Sequence, residues 1–133
     1  MAPKMLASGR SKYSCYITIP NQCLGSENFA SLSTIACKLF LDVAAQFKGY
    51  NNGDLCVTWS IMKKRGWKSQ ETLARAKKEL LDKGWLILTR QGGRNRCSLF
   101  AFSFIKIGDF GSKLDIGPTP TAPNDWKKWT PEN

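Results

Sequence analysis

At 133 residues, 42% of them hydrophobic and five of them tryptophan, the chain is sized for one packed core and is not the composition of a disordered polypeptide. Twenty Lys and Arg against ten Asp and Glu leave a net charge of +10, which favours a polyanionic partner such as nucleic acid or an anionic surface. No apolar run approaches the roughly 18 residues of a membrane span, and Met1–Arg10 lacks the apolar stretch of a signal peptide, so the expectation is a cytoplasmic protein with no membrane partner.

The charge is unevenly spread. Between positions 63 and 96 stand eleven basic residues (Lys63, Lys64, Arg65, Lys68, Arg75, Lys77, Lys78, Lys83, Arg90, Arg94, Arg96) and three acidic ones (Glu71, Glu79, Asp82). That quarter of the chain therefore holds most of the excess. The five cysteines (Cys15, Cys23, Cys37, Cys56, Cys97) form no C-x-x-C pair and the chain has no histidine, so they are expected to behave as small reduced core residues, with no metal and no cofactor.

In chain order, residues 1–12 are small, polar and basic and are expected to form a flexible arm. Tyr13–Ile19 alternates, with Tyr13, Cys15, Ile17 and Ile19 on one face, and reads as a strand closed by Pro20. Asn21–Ala30 reads as irregular. From Ser31 or Ser33 to Lys48, Leu32, Ile35, Ala36, Leu39, Phe40, Val43, Ala44 and Phe47 recur at helical spacing, the pattern of the main core helix. Gly49–Gly53 is a turn, and Leu55–Val57 a short strand.

Two helices follow, each beginning at a residue suited to capping: Thr58 before Trp59–Arg65, and Ser69 before Gln70–Lys83. The first is too short to stand alone and needs tertiary packing through Ile61 and Met62. In the second, Leu73, Ala76 and Leu80 form the buried stripe, flanked by Leu81, and Lys77 must lay its stem along the apolar edge. Glu71, Arg75, Lys78 and Asp82 fall on the opposite face. Gly84 is placed to end the helix in the left-handed conformation. Trp85–Arg90 and Cys97–Phe104 read as an antiparallel hairpin around the basic loop Gln91–Arg96, in which Gly92 and Gly93 permit a tight turn. Phe100, Phe102 and Phe104 share one face of it, Leu99 and Ala101 the other, so both faces need cover. Beyond Ile107 the chain is rich in proline and without period. Trp126 and Trp129 in that tail either dock on the domain or anchor a partner.

This order of elements, with Asn52-Gly53, Arg65-Gly66-Trp67, Ser69-Gln-Glu-Thr72-Leu73, Arg75-Ala76, Glu79-Leu80, Lys83-Gly84-Trp85 and Arg90-Gln-Gly-Gly93, resembles the winged helix-turn-helix DNA-binding family in the form found in small prokaryotic, phage and plasmid proteins. The likeness covers about Leu32 to Phe104. It implies an α+β fold with a three-helix core and a β-hairpin wing; with the extensions read above, the chain divides into an arm over 1–12, a domain with its N-terminal strand over 13–107 and a tail over 108–133. The likeness further implies double-stranded DNA as partner, with the Ser69–Lys83 helix in the major groove and the wing on the backbone or minor groove. On that reading Gln70, Thr72 and Arg75 reach base edges, Glu71 accepts from cytosine or simply favours the helix N-terminus, and Lys63, Lys64, Arg65, Lys68, Ser69 and Lys78 hold phosphates. Arg94, Asn95 and Arg96 belong to the wing. The role implied is transcriptional regulation or accessory work in replication, with room for a homodimer through Tyr13–Ile19 or the tail.

The alternative is a winged helix used to bind protein, as an adaptor or inhibitor, with Trp126 and Trp129 as the anchor. An enzyme is not expected. Ser60-Ile-Met-Lys63 fits S-x-x-K, but S-D-N and K-T-G are missing, there is no Walker A segment, and no histidine can serve as general base.

Overall fold

The computed structural model describes residues 15–131 and is mixed α+β. Its elements are α1 (Asn21–Leu24), α2 (Glu27–Ala30), α3 (Thr34–Ala44), α4 (Trp59–Met62, continued by a 3-10 turn over Lys63–Arg65), α5 (Gln70–Asp82), and a hairpin of β1 (Leu86–Arg90) and β2 (Leu99–Phe102). Two further 3-10 turns, Gly111–Lys113 and Asp125–Lys128, lie in the tail. Among the described residues no helix is long and apolar enough to cross a membrane.

The expected arm over 1–12, with Tyr13 and Ser14, lies outside the described residues. The rest of the expected N-terminal strand, Cys15–Ile19, forms no strand and has no bridge partner among the described residues; Ile17 and Ile19 pack on the core instead. Alternation supplied an apolar face there, but no sheet edge comes to meet it. Asn21–Ala30, which read as irregular, holds two single helical turns. Ser26 caps the second, its Oγ accepting from Phe29 N at 3.1 Å. Four residues are too few to show a period, which is why the pattern missed them.

Helix α3 starts as expected at Ser33, whose Oγ accepts from Ala36 N, and buries Ala36, Leu39, Phe40, Val43 and Ala44. It ends four residues before Lys48, because the chain tightens into shorter bonds (Gln46 N to Val43 O, Phe47 N to Ala44 O) and the Asn51 amide then takes Gln46 O at 2.9 Å. The freed Gln46 side chain pairs with the Cys56 backbone, donating to Cys56 O at 2.7 Å and accepting from Cys56 N at 2.9 Å. Leu55–Val57 is accordingly reduced from a strand to one bridge, Leu55 to Phe100.

Thr58 does precede α4, yet its side chain caps nothing and lies 3.2 Å from Ser60 Oγ. Met62 is fully buried, whereas Ile61 is exposed, and Trp59 takes the packing role expected of it. Helix α5 matches its sequence pattern closely: Ser69 Oγ accepts from Thr72 N, Leu73, Ala76 and Leu80 are buried, and Gly84 follows at φ +83°. Lys77 Nζ comes to rest 6.0 Å from the Phe100 ring centre, its stem along the apolar edge.

The hairpin pairs Leu86 with Phe102 and Leu88 with Phe100, and slips register between Leu88 and Arg90. Its two faces belong to two clusters. Phe100, Phe102 and Phe104 join Phe40 and Trp85 in the main core, while Leu99 and Ala101 pack with Ile107 and Leu114 under the tail. The tail is stitched along the hairpin by Asp115 N to Thr89 O at 2.7 Å and Asn124 N to Ser103 O at 2.7 Å. Trp126 docks: it is 5% exposed and stacks on Trp85 at 5.3 Å with an angle of 3° between planes. Trp126 is thus unavailable as the external anchor considered above.

Buried polar side chains fix the joints. Asn28 donates to Lys83 O and to Trp126 O, both at 2.8 Å, and accepts from Trp85 Nε1 at 2.8 Å. Asn52 donates to the carbonyls of Phe102, Ile105 and Lys106 and accepts from Phe102 N at 2.7 Å. Each would leave several orphaned groups if removed.

Candidate nucleic-acid interface

The turn between α4 and α5 decides where the first half of α5 points, and a single acid on α3 holds that turn. Asp42 falls among the apolar positions of α3, with its side chain 7% exposed. Its Oδ2 accepts from Trp67 Nε1 at 2.7 Å and from Lys38 Nζ at 2.8 Å, and its Oδ1 from Arg65 Nε at 2.9 Å. Lys38 also donates to Arg65 O at 2.8 Å. Burial alone would raise the Asp42 carboxyl, but the bonds from Lys38, Trp67 and Arg65 outweigh it and hold it below its usual range. Gly66, at φ +95°, ends the 3-10 turn and lets the chain reverse into Trp67.

Glu79 does the corresponding work on the other flank. Its oxygens accept from Ser33 Oγ at 2.6 Å, Ser33 N at 2.8 Å and Lys83 Nζ at 3.3 Å, tying α5 to the start of α3. Burial raises this carboxyl as well, and the Ser33 and Lys83 bonds bring it below the ordinary value. Lys83 Nζ further donates to Ser31 O at 3.0 Å and lies 5.4 Å from the centre of the half-buried Trp129 ring.

These contacts sort the residues expected at the interface. Gln70, Glu71 and Arg75 are exposed on α5, and Thr72 is half-buried beside them, 3.5 Å from Arg75 Nη2. Lys63, Lys64 and Lys68 are exposed and, among the described residues, have no carboxylate within ion-pair distance; the same holds for Arg75. Ser69 faces its own helix as cap. Arg65 is spoken for by Asp42, which makes it a positioning residue for the turn as well as a surface cation. Lys78 is paired with Asp82 at 2.6 Å, a contact between two exposed side chains that competes only weakly with another partner.

In the hairpin loop the reversal is centred on Arg94–Asn95, two positions later than the glycine pair suggests. Gly93 and Arg96 bond each other across the turn, and the positive φ falls on Asn95 at +61°. Gly92 is the glycine that matters sterically, since a Cβ there would stand 2.6 Å from Ser98 N, while one on Gly93 would meet open space. Arg94 and Asn95 are exposed at the tip. Arg96 is turned back, donating to Gln91 O at 3.0 Å and lying 3.7 Å from Asp115.

Asp42 and Asp115 were not among the residues singled out from sequence, and Glu79 was named there only as one acid of the basic quarter and in the Glu79-Leu80 pair, with no anchoring role. An isolated acid at an apolar helical position is the one signal that could have found Asp42. Among the described residues no group of three or more potential metal ligands comes together. Compared with protein-family models, curated proteins and solved structures, this chain matches none of them.

Proposed function

We propose that the protein binds double-stranded DNA as a winged helix-turn-helix, with α4 and α5 as the helix-turn-helix, the first half of α5 in the major groove and the Gln91–Arg96 loop as the wing. The observation that carries this reading is the set of exposed, uncompensated cations Lys63, Lys64, Lys68 and Arg75 around the Ser69-capped start of α5. The first amides of a helix have no partner within it, and with the helix dipole they suit a phosphate oxygen. Lys63, Lys64 and Lys68 then orient the protein on the backbone, and Gln70, Thr72 and Arg75 are the side chains within reach of base edges. Glu71 sits in the first turn, where it complements the dipole and accepts from a cytosine amino group in the groove. Arg94 and Asn95 supply the wing contact. The biological role that fits is a transcriptional regulator or replication accessory of a bacterium or mobile element.

The test is a mobility shift on random duplex at rising salt. Binding through several phosphates gives a log–log slope of roughly −3 to −5, because each neutralised phosphate releases close to one counterion. Failure to bind any duplex at low salt, or a flat salt response, sinks the proposal. A nuclease-resistant protein partner recovered by the same chain would then favour the interaction-module reading.

A further inference from the structure

Two cysteines outside the proposed interface face each other at the foot of the hairpin loop. Cys56 Sγ and Cys97 Sγ lie 3.7 Å apart across a sequence separation of 41 residues. Neither sulfur arrives there by accident of a loose surface chain. Cys56 sits in a segment clamped by the Leu55–Phe100 bridge and by both ends of the Gln46 amide. Cys97 follows Arg96 directly, and its carbonyl accepts from Arg90 Nε at 3.2 Å and Nη2 at 2.8 Å. Arg90 Nη2 also lies 3.8 Å from the Cys97 sulfur. Both cysteines are half-buried, so a small oxidant reaches them while a bulky protein thiol is disfavoured. A disulfide needs the sulfurs about 2.05 Å apart, so they must close by roughly 1.7 Å.

We infer that Cys56 and Cys97 form an oxidation site, a dithiol that a hydroperoxide converts to an intramolecular disulfide joining the foot of the hairpin loop to the segment before α4. The Cys97 sulfur, beside the Arg90 guanidinium, attacks one oxygen of hydrogen peroxide. The O–O bond breaks, the second oxygen leaves as water with the thiol proton, and Cys97 becomes a sulfenic acid. Cys56 then attacks the sulfenic sulfur. The S–S bond forms, the S–O bond breaks, and the hydroxyl leaves as a second water with the Cys56 proton. The sulfur pair has lost two electrons and the peroxide has gained them. Arg90 Nη2 against the Cys97 sulfur casts Cys97 as the first to be oxidised and Cys56 as the resolving partner. Burial first, and then the adjacent Cys97 sulfur, push the Cys56 thiol up to about 11. A thiol reductant reverses the bond. The closed loop contains α4, α5 and β1, so oxidation braces the whole basic quarter of the chain without adding a residue to it. The inference does not depend on DNA binding.

The full chain is treated with graded hydrogen peroxide, quenched with catalase, alkylated with N-ethylmaleimide and read by intact mass and non-reducing peptide mapping. The expected result is a monomer that loses two of its five alkylation sites, regains both on dithiothreitol treatment, and yields a linked peptide pair containing Cys56 and Cys97. In Cys56→Ser the link disappears and dimedone, a sulfenic-acid trap, marks Cys97; Cys37→Ser keeps the link. Where Cys56→Ser does not fold by circular dichroism, Cys56→Ala replaces it, and the peptide map of the unaltered chain decides in either case. Retention of all five alkylation sites across the titration, linked peptides through other cysteines, or linkage between two copies would overturn the inference.

Discussion

The two ends of α5 carry comparable numbers of charged residues and have opposite fates. At the Ser69 end, Lys68, Gln70, Glu71 and Arg75 stand on the surface with no ion pair among the described residues. At the Lys83 end, Lys78 is matched by Asp82 and Lys83 by Glu79, the helix's last backbone carbonyls are engaged, and the tail lies across it through Asn28 and Trp126. A Cβ on Gly84 would stand 2.5 Å from Asp125 O, which shows how closely the tail backbone approaches. Cation count along the helix is therefore a poor map of available charge. What distinguishes the open end is that its neighbours, Asp42 and Trp67, are spent holding the turn in place rather than neutralising α5.

The sharpest way to break this contrast is to empty the closed end. Trp126→Ala removes the face that stacks on Trp85 and is expected to cost about 3–5 kcal/mol, the range for deleting a buried large aromatic. Urea unfolding reads it directly; a loss below about 1 kcal/mol would show that the tail is not part of the cooperative unit. Gly84→Ala attacks the same joint by steric means, at a positive φ and against backbone, and is expected to cost more than about 1 kcal/mol. Neither change touches a cation at the open end.

Acid loosens both anchors. Asp42 and Glu79 both have folded-state pKa values below their ordinary ones, so their stabilisation is fully present above the unfolded carboxylate range and is lost as pH falls through the folded values. Melting temperature is expected to drop on acidification from about pH 5 downward, a window set by unfolded carboxylates near 4. Asp42→Asn should cost about 1–3 kcal/mol at neutral pH, since one charged acceptor of three bonds is lost, and should flatten that acid limb. An unchanged acid limb in Asp42→Asn would mean that other carboxylates control it.

How legible these features were depends on the distance over which each is decided. The boundaries of α5 are written locally, by Ser69, the Leu73–Ala76–Leu80 stripe and Gly84, and all three appear in place. The alternation of Phe100, Phe102 and Phe104 likewise announced the inner face of β2. Cys15–Ile19 alternated just as well and made no strand, because pairing needs a free edge that sequence periodicity does not report. Thr58 looked like a cap and is not one. Lys63, Lys64, Lys68 and Arg75 were readable as cations, but that they remain uncompensated while Arg65, Lys78 and Arg96 are engaged follows from Asp42, Asp82 and Asp115, two of which lie on other elements. The pairing of Trp126 with Trp85 spans 41 positions, and nothing near either residue signals it.

At the open end, on the proposed function, the expected effects fall on binding rather than on folding. Arg75→Ala should leave the unfolding midpoint nearly unchanged, within about 0.5 kcal/mol, because the side chain is exposed and makes only a long contact to Thr72. On the proposed function it should weaken binding to a preferred duplex by about 1–3 kcal/mol and narrow the gap between preferred and random sequence. The same loss on every duplex would demote Arg75 to a phosphate contact.

Lys64→Ala is the mildest change and the most discriminating between the ends. Lys64 is exposed, belongs to the 3-10 turn before Gly66 and has no ion pair among the described residues, so its removal costs the fold almost nothing. If it holds one phosphate, affinity should fall alike on all duplexes and the salt slope should shrink by about 1. Lys78→Ala at the closed end serves as the matched control. The pair with Asp82 at 2.6 Å is itself weak, but the neighbouring carboxylate offsets part of the Lys78 charge at the duplex, so the salt slope should change by less than for Lys64. Equal slopes for the two variants would mean that the Lys78–Asp82 contact dissolves on the duplex and that the groove-facing surface of α5 extends to its far end.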